Sequence, residues 1–246
     1  MLIRRAVGRL VADTLQLMVD QLRPGMTTGD LDLLAERFAR KRGAESAPQL
    51  TYNFPGFTCI SVNEEIVHGV PGARVIGAGD VVKLDVTLKF DGYIADSATT
   101  AFVPPVSLEG RQLLRCARQA FKHGAAAARP GREVRAIGKA IEMQVRRAGF
   151  AVFRELAGHG LGRRMHEAPS VPNFPDPTAN QILNDGVVIA IEPMVTARPT
   201  SVVTAADGFT IRTQNRAIAV HHEHTIVVWR DGAEILTARR NPPSYH

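Results

Sequence analysis

The chain of 246 residues is short of the features that define several protein classes. It has two cysteines, Cys59 and Cys116, too few for the disulfide framework of a small secreted domain. It has one tryptophan and three tyrosines, and its arginines are dispersed without interleaved aromatics, which disfavours a dedicated nucleic-acid surface. No apolar run approaches the ~18 residues needed to cross a bilayer. The first ten residues scatter Arg4, Arg5 and Arg9 where a secretory signal would carry a continuous apolar core. The expectation is a cytoplasmic protein with no membrane partner.

What is present is ordinary in bulk: 45% hydrophobic and 22% charged residues, the balance of a soluble globular protein. The length fits one α/β domain, which we divide into halves at about 1–106 and 107–237, with a mobile tail at 238–246 that lacks periodicity. A net charge of +6 and a pI near 9.8 fit a solvated basic surface. An RNA-rich partner such as the ribosome surface is the second reading, through counterion release.

The division into halves rests on a repeat. Arg23-Pro24-Gly25 precedes a helical stretch that ends at Gly43, and Arg129-Pro130-Gly131 precedes another that ends at Gly149. Each copy is followed by a β-branched run that closes on an acid, Val81-Val82-Lys83-Leu84-Asp85 and then Val187-Val188-Ile189-Ala190-Ile191-Glu192. Two similar halves facing each other would bring Asp85 and Glu192 together.

Apolar residues at spacings of three and four predict helices over 3–22, from Thr28 to Gly43, over 113–128 and over 134–148. Strands are expected at 81–89, 93–102, 187–191, 208–212 and 217–229, with 169–180 as a loop, giving an order of α-α-β-β twice over. Asp91-Gly92 between two alternating runs is a strong hairpin signal. A two-residue turn there pairs Thr87 with Asp96 and Asp85 with Ala98. Asp85, Thr87 and Asp96 then share one face, with the two acids about 7–8 Å apart across the backbones. Val82, Leu84, Val86 and Leu88 bury the other face. Two aspartates on one strand face repel unless something positive lies between them.

Three more residues of this kind lie in the second half. His159 sits in Gly158-His159-Gly160-Leu161-Gly162, where glycine permits close backbone approach. Glu192 ends an apolar strand, and Glu223 falls within His221-His222-Glu223-His224-Thr225-Ile226. Four carboxylates and one imidazole balance two divalent cations, and the oxygen-rich set suits manganese, iron, cobalt or zinc. Such a pair polarises a carbonyl and activates water, which is hydrolytic chemistry.

The motifs Asn63-Glu64-Glu65-Ile66-Val67-His68-Gly69-Val70-Pro71, Leu84-Asp85-Val86-Thr87, Asp96-Ser97, Gly158 to Pro169, Ile191-Glu192-Pro193-Met194 and Glu223-His224-Thr225-Ile226 resemble, in order and spacing, those of type I methionine aminopeptidases. The resemblance implies the pita-bread fold, a duplicated α/β structure whose curved antiparallel sheet is covered by helices. It implies removal of the initiator methionine from nascent chains with a small second residue, by a monomer carrying two metal ions. The ligands would be Asp85, Asp96, His159, Glu192 and Glu223, with Asp96 and Glu223 bridging. His68 would hydrogen-bond the scissile nitrogen, His166 would act on the carbonyl oxygen, and Glu192 would also shuttle protons.

The chain departs from the family pattern around the methionine pocket. Met165 stands where an aromatic usually precedes the second histidine, Phe209 lies in the segment that usually carries tryptophan, and Thr51-Tyr52-Asn53-Phe54-Pro55 replaces the usual Tyr-His-Gly-Tyr/Phe-Pro. Phe54, Met165, Phe209 and Cys59 are the expected pocket wall. Prolidases and proline-specific aminopeptidases share the five ligands, but they usually carry a large added N-terminal domain, whereas here His68 lies close to the start. A non-catalytic relative that binds RNA or protein would typically lose ligands.

Overall fold

The two Arg-Pro-Gly breaks are backbone devices. Gly25 and Gly131 have φ of +90° and +81°, and the closing Gly43 and Gly149 have +79° and +80°, conformations that glycine adopts without a steric penalty. The amides of Gly25 and Gly131 donate at 2.9 Å to the carbonyls of Ile76 and Leu183, so each break is tied to its own half in the same way.

The computed structural model describes residues 1–239. The first half runs α1 (Leu2–Gln21), α2 (Thr28–Arg40), β1 (Glu45–Ser46), α3 (Ala47–Tyr52), β2 (Cys59–Val62), β3 (Glu65–Val67), β4 (Val81–Phe90) and β5 (Tyr93–Phe102). The second runs α4 (Leu108–Ala127), α5 (Arg135–Arg147), β6 (Ala151–Val152), β7 (Ala157–Gly160), β8 (Glu167–Pro172), β9 (Val188–Ile191), β10 (Met194–Thr196), β11 (Val202–Thr204), β12 (Ile211–Thr213), β13 (Ala219–His221), β14 (His224–Trp229) and β15 (Gly232–Ile235).

The helices form where caps and apolar stripes coincide. Thr27 and Asp30 make a reciprocal capping box at the start of α2, and Ser107 caps α4 by accepting from the Gly110 amide. That cap starts α4 at Leu108, ahead of the expected 113. In the first half α1 lays Val7, Val11, Leu15 and Met18 against Val82, Leu84, Val86 and Leu88 of β4. In the second half Leu113, Ala117 and Phe121 of α4 meet Ile189, Ile191, Ile226 and Val228 of β9 and β14. Burying each large aliphatic contributes about 1.5–3 kcal/mol, so this layer decides which sheet face is covered and which is left for chemistry.

Every strand pairing is antiparallel. The hairpin of β4 and β5 has the expected register, Thr87 opposite Asp96 and Asp85 opposite Ala98. Both faces of β4 are buried, however, because Lys83 and Thr87 are covered as fully as Val82 and Leu84. The second half carries its acids on a matching pair. Strand β9 pairs with β14, His224 opposite Ile191, so Glu192 and Glu223 stand at the open end of that pair and residues 192–223 form an excursion between them. The halves are stitched along β5: the Glu223 amide donates to the Ala98 carbonyl at 3.0 Å, Ser97 Oγ to the Glu223 carbonyl at 2.6 Å, and Thr225 Oγ1 to the Asp96 carbonyl at 2.7 Å.

Several expectations need correction. A fifth helix, α3, forms after Ser46, whose side chain caps it. The run 217–229 is two strands, because the His222 amide turns to Pro193 and the Glu223 amide to Ala98. Strand β12 starts at Ile211, since Asp207 Oδ1 takes the Phe209 and Thr210 amides into a turn. Part of the expected loop 169–180 is β8, which tolerates Pro169 and Pro172 because it is a sheet edge. The second half is therefore richer in strands than α-α-β-β. The expected mobile tail lies, beyond Arg239, outside the described residues; Arg239 itself donates to Thr99 Oγ1 at 2.9 Å.

Candidate metal centre

A cavity of about 500 Å³ opens between the halves, and every site residue expected from the sequence lines it. Its floor is acidic. Asp96, Glu192 and Glu223 are buried and Asp85 is half-buried. The donor atoms of Asp96, His159 and Glu223 lie within 4.8 Å of one another, and so do those of Glu192, His221 and Glu223. Asp85 stands outside both triads, on the hairpin that carries Asp96 and close enough to feel its charge.

Local geometry brings His159 to these acids. A Cβ on Gly158 would fall 2.3 Å from the Ala190 carbonyl oxygen, and one on Gly160 would fall 2.2 Å from that of Ala168. Only glycine lets β7 lie this close to its neighbours. The imidazole Nδ1 of His159 is 2.9 Å from the Gly160 carbonyl and must carry the proton to bond it, which leaves a bare Nε2 3.8 Å from both Asp96 Oδ2 and Glu192 Oε1. That is the tautomer a metal ligand requires.

The electrostatics are unbalanced without a cation. Burial, then the neighbouring Asp96 and Glu192 charges, push Asp85 well above the usual carboxylate range. Burial likewise raises Asp96 to about 6, with Thr87 Oγ1 donating to it at 2.8 Å and opposing the rise. Glu192 is raised well above its ordinary value by burial and by Asp96, and Glu223 by burial and by Asp96, Glu192 and Asp85. Among the described residues the ion-pair partners of these acids are histidines at 3.5–3.8 Å, with no lysine or arginine. Glu223 Oε1 is buried without a hydrogen-bond partner. Four crowded carboxyls must either hold protons or share divalent cations, and the oxygen-rich donor set fits the latter.

The remaining walls carry two histidines and an apolar surface. His68 has φ +58°, a left-handed conformation uncommon outside glycine that clusters at functional sites, and burial and His166 lower its imidazole to about 4. The His166 and His159 rings lie 4.2 Å apart, and burial lowers His166 too. Phe54 and Phe209 meet edge to face at 5.2 Å, and Met165, buried, lines the same cavity. Cys59 pairs with Asp85 across β2 and β4; burial and that acid hold its thiol protonated, as an apolar wall and not a nucleophile.

Two contacts escaped the sequence reading, which placed Tyr52 only in a pocket-shaping stretch and His221 only in a strand. Tyr52, at the end of α3, places its hydroxyl 2.5 Å from His166 Nδ1, a contact across 114 positions that no local pattern signals. His221 lies in the acid cluster, and its signal was available: two residues before Glu223 in an extended run, it shares that residue's face.

A match to metallopeptidase family M24 spans residues 3–230. Methionine aminopeptidase 2 of Bacillus subtilis (strain 168) is 38% identical over 235 residues, 95% of this chain and 94% of that one. The methionine aminopeptidase of Escherichia coli (strain K12) is 36% identical over 239 residues, 96% and 90% of the two chains. The crystal structure of methionine aminopeptidase from Rickettsia prowazekii superposes with a TM-score of 0.92 at 33% identity, covering 96% of each chain. The duplicated halves, the cavity between them and these likenesses agree: the chain belongs to metallopeptidase family M24, among its methionine aminopeptidases, and has their pita-bread fold.

Proposed function

We propose that this protein removes the N-terminal methionine from nascent polypeptides whose second residue is small. The observation that carries the reading is the joining, in one cavity, of a crowded acid floor with an apolar wall of Phe54, Met165 and Phe209. In this reading Asp85, Asp96, His159, Glu192 and Glu223 would hold two divalent ions. The ions would supply Lewis acidity toward the first carbonyl and a water of lowered pKa.

The chain's own residues do the rest. Glu192, buried in the acid floor and lining the cavity, would take a proton from the attacking water and return it to the leaving amine. His68 and His166 are neutral at working pH, because burial disfavours their charged forms. If Tyr52 donates to Nδ1 of His166, Nε2 keeps its proton and can offer it to the developing oxyanion. His68 would contact the scissile amide nitrogen. Phe54, Phe209, Met165 and Cys59 would receive the methionine side chain, flexible thioether against aromatic edge.

We further infer that the protein acts in the cytoplasm as a monomer, its charge of +6 favouring work near the RNA-rich ribosome surface. The test is hydrolysis of a Met-Ala-Ser peptide by apo-protein reconstituted in turn with manganese, cobalt, iron and zinc. Release of free methionine with at least one metal is expected; inactivity with all four would overturn the reading.

A further inference from the structure

His221 ends β13 within the acid cluster, and the proposed chemistry makes no use of it. Its ring is 1% exposed, and neither Nδ1 nor Nε2 has a hydrogen-bond partner. Buried polar atoms are nearly always paired, and leaving one unpaired costs about 1–3 kcal/mol, so a ring with two such atoms calls for a cause. Nε2 lies 3.5 Å from Glu223 Oε2 and 3.7 Å from Glu192 Oε2. These separations are long for hydrogen bonds. They match the spacing of donors that converge on one cation: two atoms each about 2.1 Å from an ion at a tetrahedral angle stand about 3.4 Å apart.

The surrounding strand supports this orientation. His222 and His224 turn to the opposite face, where both rings pack against Phe121 of α4 at 5.5 and 5.0 Å. Within the His-His-Glu-His run, His221 is the histidine that joins Glu223 in the acid cluster. Its backbone is fixed from both directions by Thr100, whose Oγ1 donates to the His221 carbonyl and accepts from its amide, each at 2.9 Å.

We propose that His221 is a metal-binding histidine of this centre, forming with Glu192 and Glu223 a second donor triad beside that of Asp96, His159 and Glu223. Glu223 is then common to two triads, each with one imidazole. The inference rests on the reading that the acid cluster holds divalent cations.

The test uses the full-length protein loaded with Co²⁺ alone, with binding followed by calorimetry and ligation by the paramagnetically shifted, solvent-exchangeable imidazole N–H signals in proton NMR. Wild type should show two such signals, from His159 and His221. His221→Gln should show one and bind one of the ions at least about tenfold more weakly, with an unchanged apo-protein circular dichroism spectrum. A single shifted imidazole signal in wild type overturns the proposal and needs no variant to fold. Full Co²⁺ affinity in His221→Gln also overturns it, since glutamine can still donate to the carboxylates but brings no imidazole. Asp96→Asn serves as the reference: if it too leaves Co²⁺ affinity intact, the metal-centre reading itself fails, whereas weakened binding there with none in His221→Gln removes only the role of His221.

Discussion

Replacing Asp96 with asparagine should stabilise the metal-free protein at pH 8 while weakening its hold on cations. The side chain is buried, and burial raises its pKa from 3.8 to about 6. At about 1.4 kcal/mol per tenfold change in the protonation equilibrium, keeping this group ionised above pH 6 costs the folded state about 3 kcal/mol. The sign follows from proton counting. Between pH 3.8 and 6 the folded chain holds a proton that the unfolded chain has released, so the cost vanishes below about pH 4, grows as pH rises, and is complete above pH 6. Asparagine is isosteric, can still accept the Thr87 Oγ1 hydrogen bond, and carries no such cost. Denaturant unfolding of EDTA-treated proteins should therefore place Asp96→Asn about 3 kcal/mol above wild type at pH 8 and level with it at pH 4. Each divalent ion present at a hundredfold its Kd adds about 2.7 kcal/mol to whichever protein binds it, so saturating Mn²⁺ should erase or reverse the order at pH 8. An apo Asp96→Asn no more stable than wild type at pH 8, or a gap unchanged at pH 4, would refute the burial argument.

Three further outcomes are expected. His68→Asn, chosen because asparagine tolerates the positive φ, should keep the metal content seen by atomic absorption while kcat on a Met-Ala peptide drops about a hundredfold or more; metal loss would show that the role assigned to His68 is wrong. Gly158→Ala drives a Cβ against the Ala190 carbonyl and should cost about 1–3 kcal/mol in urea unfolding and weaken Mn²⁺ binding through His159, whereas Gly72→Ala, with nothing within 4 Å, should be silent; equal effects would sink the packing argument. Lys83 is buried, donates at 2.6 Å to the Asn63 carbonyl, and is lowered by burial from 10.5 to about 7. Its folded-state cost is complete below pH 7 and gone by about pH 10.5, so Lys83→Met should gain up to about 5 kcal/mol at pH 6, less the lost hydrogen bonds, with the gain shrinking as pH rises; a gap independent of pH would contradict it.

The parts of the site legible in the sequence are those governed by local periodicity. The Asp-Gly turn forces a register, and register alone places Asp85, Thr87 and Asp96 on one face. Glycines on both sides of His159 announce a backbone that must be approached closely, and the carbonyls of Ala190 and Ala168 are what approach it. The resemblance carried the histidines and the pocket wall, where spacing alone could not choose among eight histidines.

Taken by itself, then, the chain specified a duplication, four helices with their glycine stops, one hairpin to the residue, and one acid, Glu192, at the end of an apolar strand. Those features depend on turn chemistry, on the periods of 2 and 3.6, and on glycine's access to positive φ, all of which act over a few neighbouring positions. Tertiary structure decided what depends on distant partners. It broke the run 217–229 at Glu223, because that amide is captured by Ala98 of the other half. It closed β14 onto β9 across the excursion 192–223, which brought Glu192 and Glu223 to one open end. It set Tyr52 on His166 and covered the polar face of β4, so that acids which a lone hairpin would have left in water became crowded and costly to ionise. Desolvation comes from everything packed around a group, and no local pattern encodes it.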